Sequence, residues 1–355
     1  MPNIKTILAK KELNKSVVAI NPDIKEEIAT KKEDALFIGI KNTAQIPDFI
    51  TKRLRNHPKL VWHTIDKAAD KGRAIDPDLN NPVTYRLMTG STSGGPINIL
   101  KGINDIAIGT DGGGSVLGPA MSCQLPSMIG AGLGLQVKNK KVSTDGKTFR
   151  GSVGVIGKEL SVVLMVMELL TKETLSIIDV SQKLKIAIPK KGTVVCPDHQ
   201  DMHQKVTRYL SRIDCGYYDI QEIDMTGIED RHIGMRLIEG VFQNKVADLI
   251  LTCEGPIDVY GYGETIPQQF GETGLDITRK HGKFLLRSAN MTESTAITVP
   301  TENLASGLLV ISKKGLVNSR HAIGLAKKLE QSIYLPAVWK RYFLTESLTL
   351  DYLDF

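Results

Sequence analysis

The chain has 355 residues, a formal net charge of +6, and a composition that is 41% hydrophobic and 24% charged, as is typical of a folded protein with a sizeable core. Its basic residues are scattered in short pairs and aromatic residues make up only 5% of the chain, so no nucleic-acid partner is expected. No signal peptide is visible and no apolar segment is long enough to span a membrane, so no membrane partner is expected either.

The first predicted element is a charged, helix-like segment over residues 1–34, in which little core is expected. Residues 35–40 then form a continuous apolar run that ends at Lys41, which is typical of a strand buried on both faces. An amphipathic helix over residues 47–56 and a strand over residues 60–64 follow. This order predicts a strand–helix–strand unit with parallel strands.

Residues 80–95 are polar and rich in glycine and serine, which predicts a loop. A helix beginning near Ile97 and a strand over residues 105–109 come next, and that strand leads into a second glycine-rich segment. Later segments are predicted as a turn and buried helix over residues 154–170, strands over 184–189, 248–252, 294–300 and 307–311, and helices over 198–213 and 322–333. The predicted fold class is therefore α/β, with a mixed, mainly parallel twisted sheet covered by helices on both faces.

Three segments divide the chain in this interpretation. Residues 1–34 form an N-terminal helical segment, residues 35–333 form one α/β domain, and residues 334–355 form a C-terminal tail. The tail is rich in aromatic residues and leucine, so a homodimer or a partner protein that binds through it is one expectation.

The cysteines are too far apart to form a CxxC motif; they are Cys123, Cys196, Cys215 and Cys253. Such cysteines are typical of reduced, mostly buried thiols, and a cytoplasmic location is expected.

Two glycine-rich segments carry the chemical signal: GSTSGG at residues 90–95 and GTDGGGS at residues 109–115. Glycine allows backbone N–H groups to approach a bound atom closely, and a row of such groups beside a serine is what an oxyanion hole requires. On glycine content alone, a tight turn or a phosphate cradle fits equally well.

The order of a strand-ending lysine, GSTSGG and GTDGGGS resembles the amidase signature family. Members of that family carry a lysine at the end of a VAVKDN-like strand, a GGSSGGS loop and a GTDxGGSIRxPA loop. The counterparts here are IGIKN at residues 38–42, residues 90–95, and GTDGGGSVLGPA at residues 109–120. Less specific similarities extend the match over roughly residues 35–333.

This resemblance implies an amidase-type hydrolase that cleaves a small-molecule amide or ester through an acyl-Ser115 intermediate. Lys41 falls on the catalytic base, which must be uncharged, and burial at the end of an apolar strand would lower its pKa in the required direction. Thr92 falls on the residue that relays the proton between the lysine and the nucleophile. No metal or organic cofactor is implied.

The same resemblance assigns the oxyanion hole to the backbone amides of Gly112, Gly113, Gly114 and Ser115. It gives supporting roles to Ser91, Ser93 and Asp111, with Ser93 bracing the loop by side-chain hydrogen bonds and Asp111 organising the turn.

The sequence departs from the family pattern at several points. Thr92 stands where most members have serine, and Leu117 stands where an arginine usually follows the nucleophile. Lys41 and Thr92 are closer in the sequence than in typical members, because a segment that normally walls the site is missing. These departures leave alternatives open: an amidotransferase or acyltransferase that uses the same site, a catalytically silent binding scaffold, or a phosphate-binding protein.

Other residues are weaker candidates. His199 and His203 have a spacing that can bind zinc on a helix, but the glutamate of HExxH is absent and a solvated helix face is favoured. Nothing in the sequence places His63 and Asp66 near the nucleophile, as a Ser-His-Asp triad would need. Residues 258–264 are interpreted as a loop that lines the substrate cleft.

Overall fold

The computed structural model of the protein describes residues 4–142, 148–176 and 183–344. Its strands are β1 Val17–Ile20, β2 Leu36–Lys41, β3 Leu60–Asp66, β4 Ile75–Asn80, β5 Leu87–Thr89, β6 Ile106–Asp111, β7 Ser127–Ile129, β8 Gln136–Val142, β9 Thr148–Gly157, β10 Leu184–Pro189, β11 Tyr218–Ile223, β12 Leu249–Glu254, β13 Thr295–Pro300 and β14 Gly307–Ser312. Its α-helices are α1 Ile4–Lys11, α2 Ile24–Ala29, α3 Asp48–Asn56, α4 Gly94–Leu100, α5 Leu117–Ser122, α6 Leu160–Thr171, α7 Met202–Leu210, α8 Arg231–Gln243, α9 Gly271–Arg279, α10 Leu316–Gln331 and α11 Ala337–Phe343. Short 3₁₀ helices cover Asp70–Gly72, Ala131–Leu133, Pro267–Gln269 and Leu285–Arg287.

One large mixed sheet organises the fold. Its strand order is β1-β3-β2-β6-β9-β7-β13-β14-β12-β10-β11, with β8 paired to β9. Two groups of three strands are parallel, β3-β2-β6 towards one end and β12-β10-β11 at the other. The strands between these groups pair antiparallel, which strand–helix–strand units alone do not anticipate. The α/β class and the mixed sheet flanked by helices are confirmed.

The core strands are mostly apolar because both of their faces are covered. Every residue of β12, β13 and β14 is buried, and α10 packs against β13 and β14. Strands buried on both faces lose the alternation of polar and apolar residues that marks a half-exposed strand. The predicted strands over residues 184–189, 248–252, 294–300 and 307–311 are accordingly found in the sheet.

The turn predicted from the glycines at residues 154–157 is wrong. These residues belong to β9, which pairs with β6 and β7. A Cβ at Gly154 would lie 2.9 Å from Val116 Cγ1 and 3.1 Å from Ile129 Cγ2, so this glycine permits close packing instead of a turn.

Several other segments hold strands that were not predicted, among them β7, β8 and β11. The N-terminal segment contains β1, which pairs antiparallel with β3. The region predicted as a loop over residues 80–95 contains β5, which forms a separate two-stranded sheet with β4.

The predicted C-terminal tail contains one helix, α11, in which the Trp339 side chain is buried. Tyr334 and Tyr342, which precede and follow Trp339 in the sequence, are exposed. Residues 345–355 of the predicted tail lie outside the described residues.

The four cysteines are unpaired, and all but Cys215 are buried. Within residues 4–142, 148–176 and 183–344, no helix has the length and apolar character needed to cross a membrane.

The two strands that lead into the glycine-rich segments meet in the parallel group of the sheet. β2 and β6 are neighbours, with Ile40 opposite Ile108, so the C-terminal end of β2 lies beside that of β6. Lys41 therefore lies near Asp111 and the loop that follows it. Parallel sheets commonly carry their functional residues at this edge.

Gly39 tests how tightly β2 is packed. A Cβ at this position would overlap Asp66 Oδ2 and Asn104 Nδ2, both in buried side chains. We expect Gly39→Ala to lower the free energy of unfolding by at least about 2 kcal/mol. Gly240, inside α8 with nothing within 4 Å of an added Cβ, is the matched control. Gly240→Ala should be neutral or stabilise by up to about 1 kcal/mol in urea unfolding, and equal effects of the two substitutions would contradict this packing.

Candidate active site

Lys41 is the last residue of β2 and is only 7% exposed. Its Nζ lies 2.7 Å from Ser91 Oγ, 3.1 Å from Thr110 Oγ1 and 3.4 Å from the Thr110 carbonyl oxygen. Burial lowers the pKa of Lys41 to about 7, an effect that the Asp111 carboxylate opposes and the positive charge of Lys141 reinforces. An amine with this pKa is largely uncharged just above neutral pH and can accept a proton.

The loop that carries Ser91 packs directly against the nucleophile candidate. The Thr92 amide donates to the Ser115 carbonyl oxygen at 3.2 Å, and a Cβ at Gly90 would lie 3.6 Å from Ser115 Cα. Gly90 has φ +72° and a Cβ there would overlap Pro119, so this position requires glycine. Ser91 is thus flanked by Thr92, which is hydrogen-bonded to the backbone of Ser115, and by Gly90, which lies beside it.

Ser93 ties the other end of this loop to the small β4–β5 sheet. Its hydroxyl donates to Asp76 Oδ2 at 2.6 Å, and both side chains are buried. This is a side-chain hydrogen bond of the kind expected for Ser93. The chain then enters α4 at Gly94.

The position of Thr92 differs from the expected one. Its side chain faces β6, where a Cβ at Gly109 would lie 2.6 Å from both Thr92 Oγ1 and Thr92 Cγ2, and it also lies near Gly95. The two glycines leave room for the extra methyl group of threonine. Among the described residues the buried Thr92 hydroxyl has no hydrogen-bond partner. The hydroxyl on Lys41 is instead that of Ser91, for which only a supporting role was predicted.

Asp111 organises the turn after β6. Its Oδ1 accepts the Gly114 N–H at 2.8 Å, and its Oδ2 accepts the N–H groups of Val116 at 2.6 Å and Leu117 at 3.2 Å. Burial raises the pKa of Asp111, while these three N–H groups and the nearby Lys41 act in the opposite direction. A carboxylate that accepts several backbone N–H groups fixes the path of a loop.

This arrangement corrects one part of the predicted oxyanion hole. The Gly114 N–H points to Asp111 and so is not directed at a substrate. Within the described residues, no hydrogen bond uses the N–H groups of Gly112, Gly113 or Ser115. These three amides are the donors that the loop offers.

Two segments cover the glycine loop. A Cβ at Gly112 would overlap the ring of Phe149, and one at Gly114 would overlap Leu286 Cδ1, so the loop touches β9 on one side and the 3₁₀ helix Leu285–Arg287 on the other. Asn290 Nδ2 donates to the Gly112 carbonyl oxygen at 3.4 Å.

Glu254, at the end of β12, holds this 3₁₀ helix in place. Its carboxylate accepts the N–H groups of Phe284 at 2.7 Å and Leu286 at 3.1 Å, and the hydroxyl of Thr252 at 3.1 Å. Burial raises the pKa of Glu254 to about 7 against the effect of these hydrogen bonds.

Thr110, Glu254 and Asn290 are not marked as functional by the sequence-based predictions. Thr110 lies inside the GTDGGGS segment, so its position was the signal that could have identified it, while Asn290 lies only within the less specific part of the match. Nothing in the sequence around Glu254 marks it. Leu117, where an arginine was expected, is fully buried in the first turn of α5.

The histidine candidates lie elsewhere. His63 is buried, with its Nδ1 3.0 Å from Asn104 Oδ1 and 3.2 Å from the Ile103 carbonyl oxygen, and it does not meet Ser115. The helix α7 begins only at Met202, so His199 precedes it and the two histidines do not share a helix face. His203 Nε2 lies 3.1 Å from Glu222 Oε1. The described part of the chain contains no group of three or more His, Cys, Asp or Glu side chains that could hold a metal ion.

The loop over residues 258–264 is fixed at both ends. Asp258 pairs with the buried Lys283 at 2.5 Å, and Glu264 pairs with Arg73 at 3.2 Å. Ala74, next to Arg73, accepts the N–H of Gly90. The loop is therefore linked to Gly90, the residue before Ser91. Its role as a cleft wall stays a prediction.

Solved structures share this fold. The chain is similar to a 6-aminohexanoate cyclic dimer hydrolase in complex with substrate (TM-score 0.65, 10% identity, 94% of each chain covered). It is also similar to a single-residue variant of the allophanate hydrolase of Kluyveromyces lactis (TM-score 0.63, 16% identity, covering 93% of this chain and 69% of the other). A third is the native peptide amidase of Stenotrophomonas maltophilia (TM-score 0.62, 14% identity, covering 92% and 93%).

No protein-family model and no curated protein matches the chain. At these identities the structural similarity establishes the fold. The strand-ending lysine, the two glycine-rich loops and the full-length structural similarity agree with one another, and the chain has the amidase signature fold.

Proposed function

We propose that the chain is an amidohydrolase that cleaves a carbon–nitrogen bond of a small amide through an acyl-Ser115 intermediate. The observation that carries this proposal is the buried Lys41 amine, 2.7 Å from a hydroxyl on the loop that packs against Ser115. The names of the similar structures, two hydrolases and a peptide amidase, support the same class of reaction.

The count of donors and acceptors at Lys41 supports one direction of proton transfer. A neutral amine has two N–H groups and one lone pair. The two oxygens of Thr110 lie 3.1 and 3.4 Å from Nζ and can accept the two N–H groups. The lone pair is then left to accept the proton of Ser91. We assign Ser91, not Thr92, as the relay between Lys41 and Ser115.

The reaction balances with these groups and one water molecule from solvent. Ser115 Oγ forms a bond to the amide carbonyl carbon, its proton passes to Ser91, and the proton of Ser91 passes to Lys41. The carbon–nitrogen bond then breaks as Lys41 returns a proton through Ser91 to the leaving nitrogen, which departs as an amine. Water attacks the resulting ester by the same route, and the acid is released as Ser115 regains its proton.

The negative charge that develops on the carbonyl oxygen needs donors that are already in place. The amides of Gly112, Gly113 and Ser115 supply them, while Asp111 keeps the loop from rearranging. One donor of this kind contributes about 3 kcal/mol to transition-state stabilisation in well-studied enzymes.

Ser115 is tested first. Ser115→Ala should lose both hydrolysis of small amides, such as nitroanilides, and covalent labelling by a fluorophosphonate, because the acyl bond forms on its hydroxyl. Ser161→Ala, at an exposed serine on α6, should behave as the wild type. Mass spectrometry of the labelled protein locates the adduct. A wild-type protein that is never labelled would favour a silent scaffold, and a product formed only with an added amine would favour an acyltransferase.

The choice of relay is tested by a second pair of variants. We expect Ser91→Ala to slow fluorophosphonate labelling by about 100-fold or more, since proton relay by a positioned group contributes at least that much. Thr92→Val removes the unpartnered hydroxyl at nearly constant shape and should change the labelling rate by less than about threefold. The opposite pattern, in which Ser91→Ala is labelled quickly and Thr92→Val is labelled slowly, would identify Thr92 as the relay.

A further inference from the structure

The backbone of Ser91 is held on both sides by one short turn, residues 69–74. The carbonyl oxygen of Ser91 accepts the N–H of Ala69 at 3.2 Å. On the other side, the N–H of Gly90 donates to the carbonyl oxygen of Ala74 at 2.7 Å. The turn therefore sets the position of the Ser91 hydroxyl.

A salt bridge anchors this turn to a distant segment of the chain. Arg73 Nε donates to Glu264 Oε2 at 3.2 Å, and the Glu264 side chain is only 9% exposed. The other carboxylate oxygen, Oε1, accepts the N–H of Thr265 at 2.8 Å, which fixes its direction. The backbone N–H of Arg73 donates to the Asp70 carbonyl oxygen at 3.1 Å, within the turn. The position of the turn therefore depends on where Glu264 lies.

The carboxylate belongs to a short segment, residues 258–264, which we term the strut. At the other end of the strut, Asp258 Oδ2 lies 2.5 Å from Lys283 Nζ, and both side chains are buried. The N–H of Asp258 also donates to the His281 carbonyl oxygen at 2.9 Å. Asp258 Oδ1 accepts the N–H of Gly263 at 2.9 Å, so the strut is braced within itself. Both ends of the strut are therefore fixed by salt bridges.

Lys283 directly precedes the segment that packs on the glycine loop. Glu254 accepts the N–H groups of Phe284 and Leu286, at 2.7 and 3.1 Å. Leu286 Cδ1 lies where it would overlap a Cβ at Gly114. The strut therefore joins the turn that sets the relay hydroxyl to the segment that packs on the loop of the proposed nucleophile.

We propose that the strut holds the turn of Ser91 in place relative to the glycine loop, and that Arg73 and Glu264 are positioning residues for the reaction at Ser115. A hydroxyl relay works only over hydrogen-bond distances, and a displacement of about 1 Å between reacting groups is costly to the rate. The effect on the rate rests on the proposed function. The mechanical link between the strut and the turn does not depend on any reaction.

Hydrogen exchange tests the link without turnover. Arg73→Ala and Glu264→Ala should each speed deuterium uptake by at least about threefold in peptides that contain Ala69 or Gly90, because their N–H groups lose protection. Lys71→Ala, which removes an exposed positive charge from the same turn, is the matched control and should leave uptake unchanged. Wild-type uptake in both Arg73→Ala and Glu264→Ala would overturn the proposal.

Fluorophosphonate labelling supplies the readout at Ser115. Arg73→Ala and Glu264→Ala should each slow labelling by at least about fivefold, and the double variant should be no slower than either one, because all three lose the same contact. Arg73→Lys should recover most of the rate, since the contact uses a single N–H group. Lys71→Ala should label as the wild type does. Thermal unfolding of each variant shows that its fold is retained.

The two readouts separate the strut from the hydrolase. Additive losses in the double variant, or wild-type labelling rates in both single variants, would refute the positioning role and leave the hydrolase intact. Faster exchange at the turn in a protein that is never labelled would refute the hydrolase and support the link between the strut and the turn.

Discussion

A lysine amine inside a protein is costly unless it gives up its proton, and the site is built around that constraint. Lys41 is the last residue of β2, a strand covered on both faces, and its amine contacts Ser91 and Thr110. Burial there favours the neutral form more strongly than Asp111 favours the charged one, so the pKa falls to about 7. The same packing that stabilises the sheet therefore produces the base that the proposed chemistry needs.

The second constraint is the position of the donors around the proposed nucleophile, Ser115. Asp111 binds the amides of Gly114, Val116 and Leu117, which removes Gly114 from the proposed oxyanion hole but fixes the remaining loop amides. Glu254 also fixes backbone N–H groups, those of Phe284 and Leu286. It thereby holds the 3₁₀ helix that packs on Gly114. Two buried carboxylates thus make a flexible, glycine-rich sequence into a preorganised loop, and preorganisation is what electrostatic catalysis depends on.

Apolar runs predicted most of the core strands, because strands buried on both faces leave a clear signal in the sequence. The order of Lys41 and the two glycine-rich loops predicted the fold. The sequence did not predict which hydroxyl meets Lys41, since that depends on Gly95 and Gly109 leaving room for the Thr92 methyl group. It also did not predict that Glu264 would pair with Arg73, 191 residues earlier in the chain, because that contact depends on how residues 258–264 pack.

The central claim, that Lys41 works as an uncharged base, is tested most directly by the pH dependence of fluorophosphonate labelling at Ser115. The account predicts a labelling rate that rises as the pH increases through about 7 and then levels off, because the amine becomes able to accept a proton only above its pKa. Lys41→Ala should remove the rise and lower the rate throughout. A rate that is flat from about pH 6 to about pH 9, or one that Lys41→Ala leaves unchanged, would contradict it.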